Sequence, residues 1–154
     1  MKLSETEALI KAKIPMAAHL KFSLRAWDGR RLELWAPFDT NRNHHGTAFG
    51  GSLAMASIVS GYAMTFMALS DAIGDQWLER YTLVIKDFSV QYKKPVTDDI
   101  LTVSEPVNGS TGGFGERLLA DGKARLAVDT LIRDDGGLRL AANATYVAFR
   151  AGDR

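Results

Sequence analysis

Asn41-Arg42-Asn43-His44-His45-Gly46-Thr47-Ala48-Phe49-Gly50-Gly51-Ser52 runs directly into Leu53-Ala54-Met55-Ala56-Ser57-Ile58-Val59-Ser60-Gly61-Tyr62-Ala63-Met64-Thr65-Phe66-Met67-Ala68-Leu69-Ser70. From Gly46 to Ser70 there are 25 residues without a formal charge. That is long enough to cross a bilayer. A helix that is apolar all round is either a membrane span or the core helix of a soluble protein. This one is rich in Gly, Ala, Ser and Thr, has no second such segment after it, and leads into alternating strand patterns. The expectation is a buried core helix from about Gly51 or Ser52 to about Ala72, ended by Gly74.

Outward from that helix the chain reads as strands. Leu20, Phe22, Leu24 and Ala26 alternate with polar neighbours. Asp28-Gly29 marks a turn, and Leu32, Leu34 and Ala36 continue the hairpin up to Pro37. Before it, Ser4 to Ala12 reads as a short amphipathic helix, with Ser4 and Glu7 as a capping box and Pro15 as its stop. After the long helix come Thr82 to Lys94, then Ile100 to Val107, with Leu101, Val103 and Val107 on one face. Gly109 to Gly115 is a loop, and Glu116 to Asp121 a helical turn stopped by Gly122. Ala124 to Arg133 and Leu138 to Phe149 are strands joined by Asp134-Asp135-Gly136-Gly137. The expected fold is α+β, an antiparallel sheet wrapped around one long helix in a single domain, 1–154. One helix cannot cover such a sheet, so a homodimer or a dimer of dimers is expected.

Composition narrows the function classes. Of the 154 residues, 46% are apolar and 24% charged, and the net charge is +1 from 19 basic and 18 acidic side chains. That balance gives no reason to expect nucleic acid or a membrane surface as partner. There is no cysteine, which excludes disulfides and thiol catalysis and suits the cytoplasm. The N-terminus has no apolar run, so no secretory signal is expected. With three histidines, two of them adjacent, no zinc site is expected. There is no Gly-x-Ser-x-Gly elbow and no phosphate-binding P-loop.

The loop ahead of the helix is where chemistry concentrates. Unpaired N–H groups at a helix start attract negative charge, and glycine lets a carbonyl approach the backbone closely. Gly50, Gly51 and Ser52 could therefore polarise a carbonyl and hold the oxyanion that develops on it. The alternative is that the glycines only permit a tight loop.

Asn41-x-Asn43-His44-x-Gly46-Thr47-Ala48-Phe49-Gly50-Gly51-Ser52 and its small-residue helix resemble a thioesterase branch of the hotdog superfamily, found in some bacterial proteins behind an acetyltransferase domain. Ile85-x-Asp87-x-Ser89-x-x-Tyr92-x-x-Pro95-Val96 and Gly122-Lys123-Ala124-Arg125 are similar to that branch as well. The resemblance implies a hotdog dimer that hydrolyses acyl-CoA or acyl-carrier-protein thioesters, with coenzyme A or the carrier entering as part of the substrate and no separate cofactor.

One departure bears on mechanism. Phenylacetate-type hotdog thioesterases have a histidine where Phe49 stands, and an aspartate two turns into the helix, near Ile58. Here Gly46 to Ser70 holds no acid, so that base cannot be carried over. His44 and His45 are candidates, since a histidine titrates near neutrality. Asp87 is another, as base or as a residue orienting a histidine. The alternation in Thr82 to Lys94 slips phase between Ile85 and Phe88, which predicts a β-bulge near Lys86-Asp87. A surface ion pair is the plainer role for Asp87. Asn43 either positions water or carbonyl, or braces the loop. His44, Phe49, Gly50, Ser52, Ser57 and Ser60 are the candidate substrate contacts; for the helix serines, packing against the preceding turn is the alternative. The acyl chain is expected near Met55, Val59 and Tyr62, at the dimer interface. Lys93, Lys94, Lys123 and Arg125 either meet phosphates or form a solvated surface. Two rivals stay open: a hydratase or dehydratase, and a non-catalytic acyl-CoA binder.

Overall fold

The uncharged stretch forms one helix of 24 residues, α3 (Gly50–Ile73), in a computed structural model that describes residues 1–153. Gly74 ends it at a positive φ of 78°, which favours glycine, and its N–H closes the last turn on Ser70. By length and composition α3 could cross a membrane, but most of it is buried inside the protein. It is preceded by α1 (Leu3–Lys13), α2 (Pro15–Ala18), β1 (Ser23–Trp27) and β2 (Leu32–Ala36). It is followed by α4 (Trp77–Arg80), β3 (Tyr81–Tyr92), β4 (Ile100–Pro106), α5 (Phe114–Asp121), β5 (Lys123–Asp134) and β6 (Gly137–Arg150). The strands form one antiparallel sheet of six, in the order β1-β2-β4-β5-β6-β3. The sheet curls around α3, and Phe22, Leu32, Leu34, Ile100, Leu140 and Tyr146 meet Met64, Phe66 and Leu69 in the core.

Several local readings are corrected. The first helix starts at Leu3, and its capping contact runs from the Lys2 N–H to Glu5 (2.7 Å). Glu7 does other work: its carboxylate accepts from Lys11 and from the backbone N–H of Leu24, tying α1 to β1. The first strand begins at Ser23 because Lys21 sits in the left-handed region, φ 55°. The turn after it runs from Asp28 to Arg31, and the Asp28 carboxylate accepts from the N–H groups of Arg30 and Arg31. These bonds hold its pKa below the ordinary value of 3.8.

The face of β4 that carries Leu101 and Val103 points outward; Ile100, Thr102 and Ser104 point into the core. Of the two polar residues that turn inward, Ser104 is partnered there, while the Thr102 hydroxyl finds no partner among the described residues. Ser104 Oγ lies 2.7 Å from Ser60 Oγ of α3 and 2.6 Å from Thr130 Oγ1 of β5. This buried ladder of hydroxyls crosses from helix to sheet.

The predicted bulge exists. Ile85 pairs with Tyr146 and Asp87 with Thr145, so Lys86 is the extra residue in β3. A second irregularity in register falls at Arg25 of β1. Both outer strands of the sheet thus carry an interruption, and a third falls at Arg139 of β6, next to the β5–β6 turn.

Candidate active site

Residues 41–49 form a small closed loop that delivers the chain to α3. Arg42 and Ala48 form an isolated bridge. The Asn43 N–H reaches Thr47 O (2.7 Å), and the Phe49 N–H reaches Asn41 O (2.7 Å). The Asn41 side chain is buried and donates to Leu20 O and Pro37 O, which fixes the base of the loop. The Asn43 side chain donates to Thr47 Oγ1 (2.8 Å) and accepts from the N–H groups of His45 (2.8 Å) and Thr47 (3.2 Å). Asn43 thus braces the tip. His44 and His45 occupy that tip, exposed, with ring centroids 3.8 Å apart.

Behind the loop, α3 begins without a side-chain cap. The first N–H bonded in helical fashion is that of Leu53, to Phe49 O (3.0 Å). Those of Gly50, Gly51 and Ser52 have no protein acceptor among the described residues. The Phe49 ring is more than half exposed and lies against Gly51, where an added Cβ would come within 2.4 Å of it. Glycine at this position is what lets the ring sit there. Tyr92, at the end of β3, donates its hydroxyl to Gly50 O (2.7 Å). A cavity of about 350 Å³ opens here, lined by Thr47, Gly50, Leu53, Tyr92, Lys93 and Lys94, among others.

A second, mostly apolar cavity of about 360 Å³ runs beside α3. Met55, Ile58, Val59 and Tyr62 form its helix wall, Ile10, Ile14, Met16 and Ala17 its second wall, and Leu83, Val84, Ile85 and Tyr146 its third. The three α3 positions expected along the acyl chain all lie in it. Tyr146 donates to Ile58 O (2.7 Å), and Gly61 makes room for that hydroxyl, which would lie 2.5 Å from an added Cβ. Burial pushes both the Tyr146 and the Tyr62 phenols above their ordinary pKa.

Other candidates are placed elsewhere. The register sets Asp87 in a row with Thr145 and Ala127. Tyr92 pairs with the fully buried Leu140. The bulge thus leaves Asp87 on the face turned away from α3, opposite Tyr92. Asp87 makes no ion pair among the described residues. Ser57 and Ser60 are buried: Ser57 Oγ bonds back to Leu53 O (2.9 Å), and Ser60 belongs to the hydroxyl ladder. Lys93 and Lys94 line the mouth, and Lys94 Nζ donates to Gly136 O. Lys123 and Arg125 line a separate cavity of about 540 Å³ with Lys86 and Phe149.

The family model described as "Putative thioesterase (yiiD_Cterm)" matches residues 3–150. The chain belongs to this yiiD_Cterm family. Solved structures agree on the architecture. A protein of Chlorobaculum tepidum, described as of unknown function, superposes with a TM-score of 0.80 at 20% identity, covering 96% of this chain and 94% of its own. A Shewanella oneidensis protein described as a putative thioesterase gives 0.79 at 21% identity, covering 96% of each chain. A Haemophilus influenzae thioesterase gives 0.74 at 15% identity, covering 100% of this chain and 96% of its own. The yiiD_Cterm chain thus has the hotdog fold, with α3 as its central helix. Sequence reading did not place Tyr92, Gly61 and Tyr146 at the site. Tyr92 stands in the Tyr92-x-x-Pro95-Val96 motif, which was the one available signal. Nothing in the sequence pairs Gly61 with Tyr146.

Proposed function

We propose that this yiiD_Cterm protein is a cytoplasmic, homodimeric thioesterase that hydrolyses acyl-CoA or acyl-carrier-protein thioesters without a cofactor. The observation that carries the reading is the set of unpartnered N–H groups on Gly50, Gly51 and Ser52, beside a cavity. A thioester carbonyl seated there accepts from the Gly50 and Gly51 N–H groups. Water attacks the carbonyl carbon, a base takes its proton, and the carbonyl oxygen becomes an oxyanion on the same two donors. Collapse breaks the C–S bond, the thiolate takes up a proton, and the free acid remains. No covalent bond to the protein forms.

His45 is the base in this reading. It stands on the loop that feeds α3, its backbone held by Asn43. Asp87 is the competing base, and its side of the sheet argues against it within one protomer. His44 flanks His45, and Phe49 and Ser52 border the carbonyl. Lys93 and Lys94, at the mouth, meet the phosphates of the leaving carrier. β3 is a free outer strand with Val84, Ile85 and Tyr92 exposed, and dimer formation through it covers the apolar cavity.

Thiol release, followed with a thiol-reactive dye across acyl-CoA and acyl-carrier-protein series, tests the reading. The expected result is one thiol per acid produced. Tight acyl-CoA binding with no thiol released would reverse it in favour of the non-catalytic binder, a reading supported by the absence of acid from Gly46 to Ser70. Hydration of an enoyl-CoA without CoA release would point to a hydratase.

A further inference from the structure

We infer that the apolar cavity beside α3 is a ruler for a straight acyl chain of about ten to twelve carbons, and that Tyr62 is the residue that ends it. The inference rests on the thioesterase reading for where the carbonyl sits. Gly51, Met55, Ile58 and Tyr62 follow one another at helical spacing, so they form a single stripe down α3. The unpartnered Gly51 N–H heads the stripe, the exposed Phe49 ring that lies against Gly51 turns aside for a bound chain, and the cavity wall begins one turn below with Met55. From Gly51 to Tyr62 is about 16 Å at 1.5 Å per residue. An extended alkyl chain advances roughly 1.3 Å per carbon, the projection of a ~1.5 Å C–C bond. Carbonyl and chain together therefore fill the stripe at about twelve carbons.

The far end is closed by packing. The next positions on the stripe, Phe66 and Leu69, are completely buried. The Tyr62 ring is wedged between Phe66 and Tyr146, each with its centroid 6.4 Å away. Tyr146 cannot yield, because its hydroxyl is bonded to Ile58 O and its ring is buried. The Tyr62 hydroxyl has no bond to the protein among the described residues, so removing it costs no contact. The ring, then, is what stops the chain.

Two measurements test this. The first is thiol release as a function of acyl length. The second is displacement of the fluorescent dye anilinonaphthalene sulfonate by free fatty acids of six to sixteen carbons, which needs no catalysis. In both, wild type should improve up to about ten to twelve carbons and then lose ground by tenfold or more at sixteen. Tyr62→Ala should extend the limit by about three to four carbons, and Tyr62→Phe should leave it unchanged. If Tyr62→Ala lowers the melting temperature, Tyr62→Leu serves in its place. An unchanged limit in the shortened variants, or none in wild type, would overturn the ruler. A length limit in dye displacement without thiol release would leave the ruler standing and sink the thioesterase reading. Thiol release indifferent to length and to Tyr62 would do the reverse.

Discussion

Asn43 commits its amide oxygen and one of its two N–H donors to its own loop: the donor to Thr47 Oγ1, and the oxygen to two backbone N–H groups. It holds the His45 backbone in place, and a neutral amide cannot serve as a base. Replacing His45 by Ala should lower kcat by about two to four orders of magnitude if it is the base, while Asp87→Asn should stay within about twofold. Steady-state thiol release on both variants checks this, and the reverse ranking would move the base to β3. The glycines at 50 and 51 and the histidines at 44 and 45 were legible as residue types in a telling order. Their neighbours were not. Ser57 and Ser60 looked like side chains that could reach a substrate, yet both turn into the core. A helix apolar on every side gives no azimuth in its sequence, so which serine faces the ligand is fixed only by the packed sheet.

At the scale of elements, α3 and β6 are fitted by a single missing carbon. Gly61 leaves the gap through which Tyr146 reaches Ile58 O. In Gly61→Ala the new methyl would sit 2.5 Å from that hydroxyl and within 3.0 Å of two Tyr146 ring carbons, so the whole buried ring would have to shift. Loss of a buried hydrogen bond together with overpacking should destabilise the protein by about 2–4 kcal/mol. Chemical denaturation of the variant against wild type would read this directly, and an unchanged midpoint would refute it. The strands show where alternation misleads. In β4, alternation correctly announced a strand, but the more apolar face, with Leu101 and Val103, is the outer one. Ser104 is stable inside because Ser60 and Thr130 answer it. A pattern of hydrophobicity cannot register that a polar residue has found its partner on another element.

At the scale of the whole molecule, the element order, the central helix and the bulge at Lys86 could be read from the chain, because each rests on local spacing. The number of copies could not. It depends on which surface stays uncovered after folding, and that surface includes the twelve-residue β3 with Val84 and Ile85 exposed. Val84→Glu would place like charges near one another across a two-fold contact. The proposed dimer should then sediment as a monomer at micromolar concentration; a wild type already monomeric and active would dispose of the interface site. The interruptions in the two outer strands have their own consequence. A ribbon with straight margins on both sides can recruit neighbours indefinitely and grow into fibrils. Here one margin is kinked at Lys86, and the other is a five-residue strand interrupted at Arg25, whose guanidinium lies over the Trp35 ring. Each kink shortens the straight run offered to a newcomer, so neither margin presents the long flat edge that open-ended polymerisation needs.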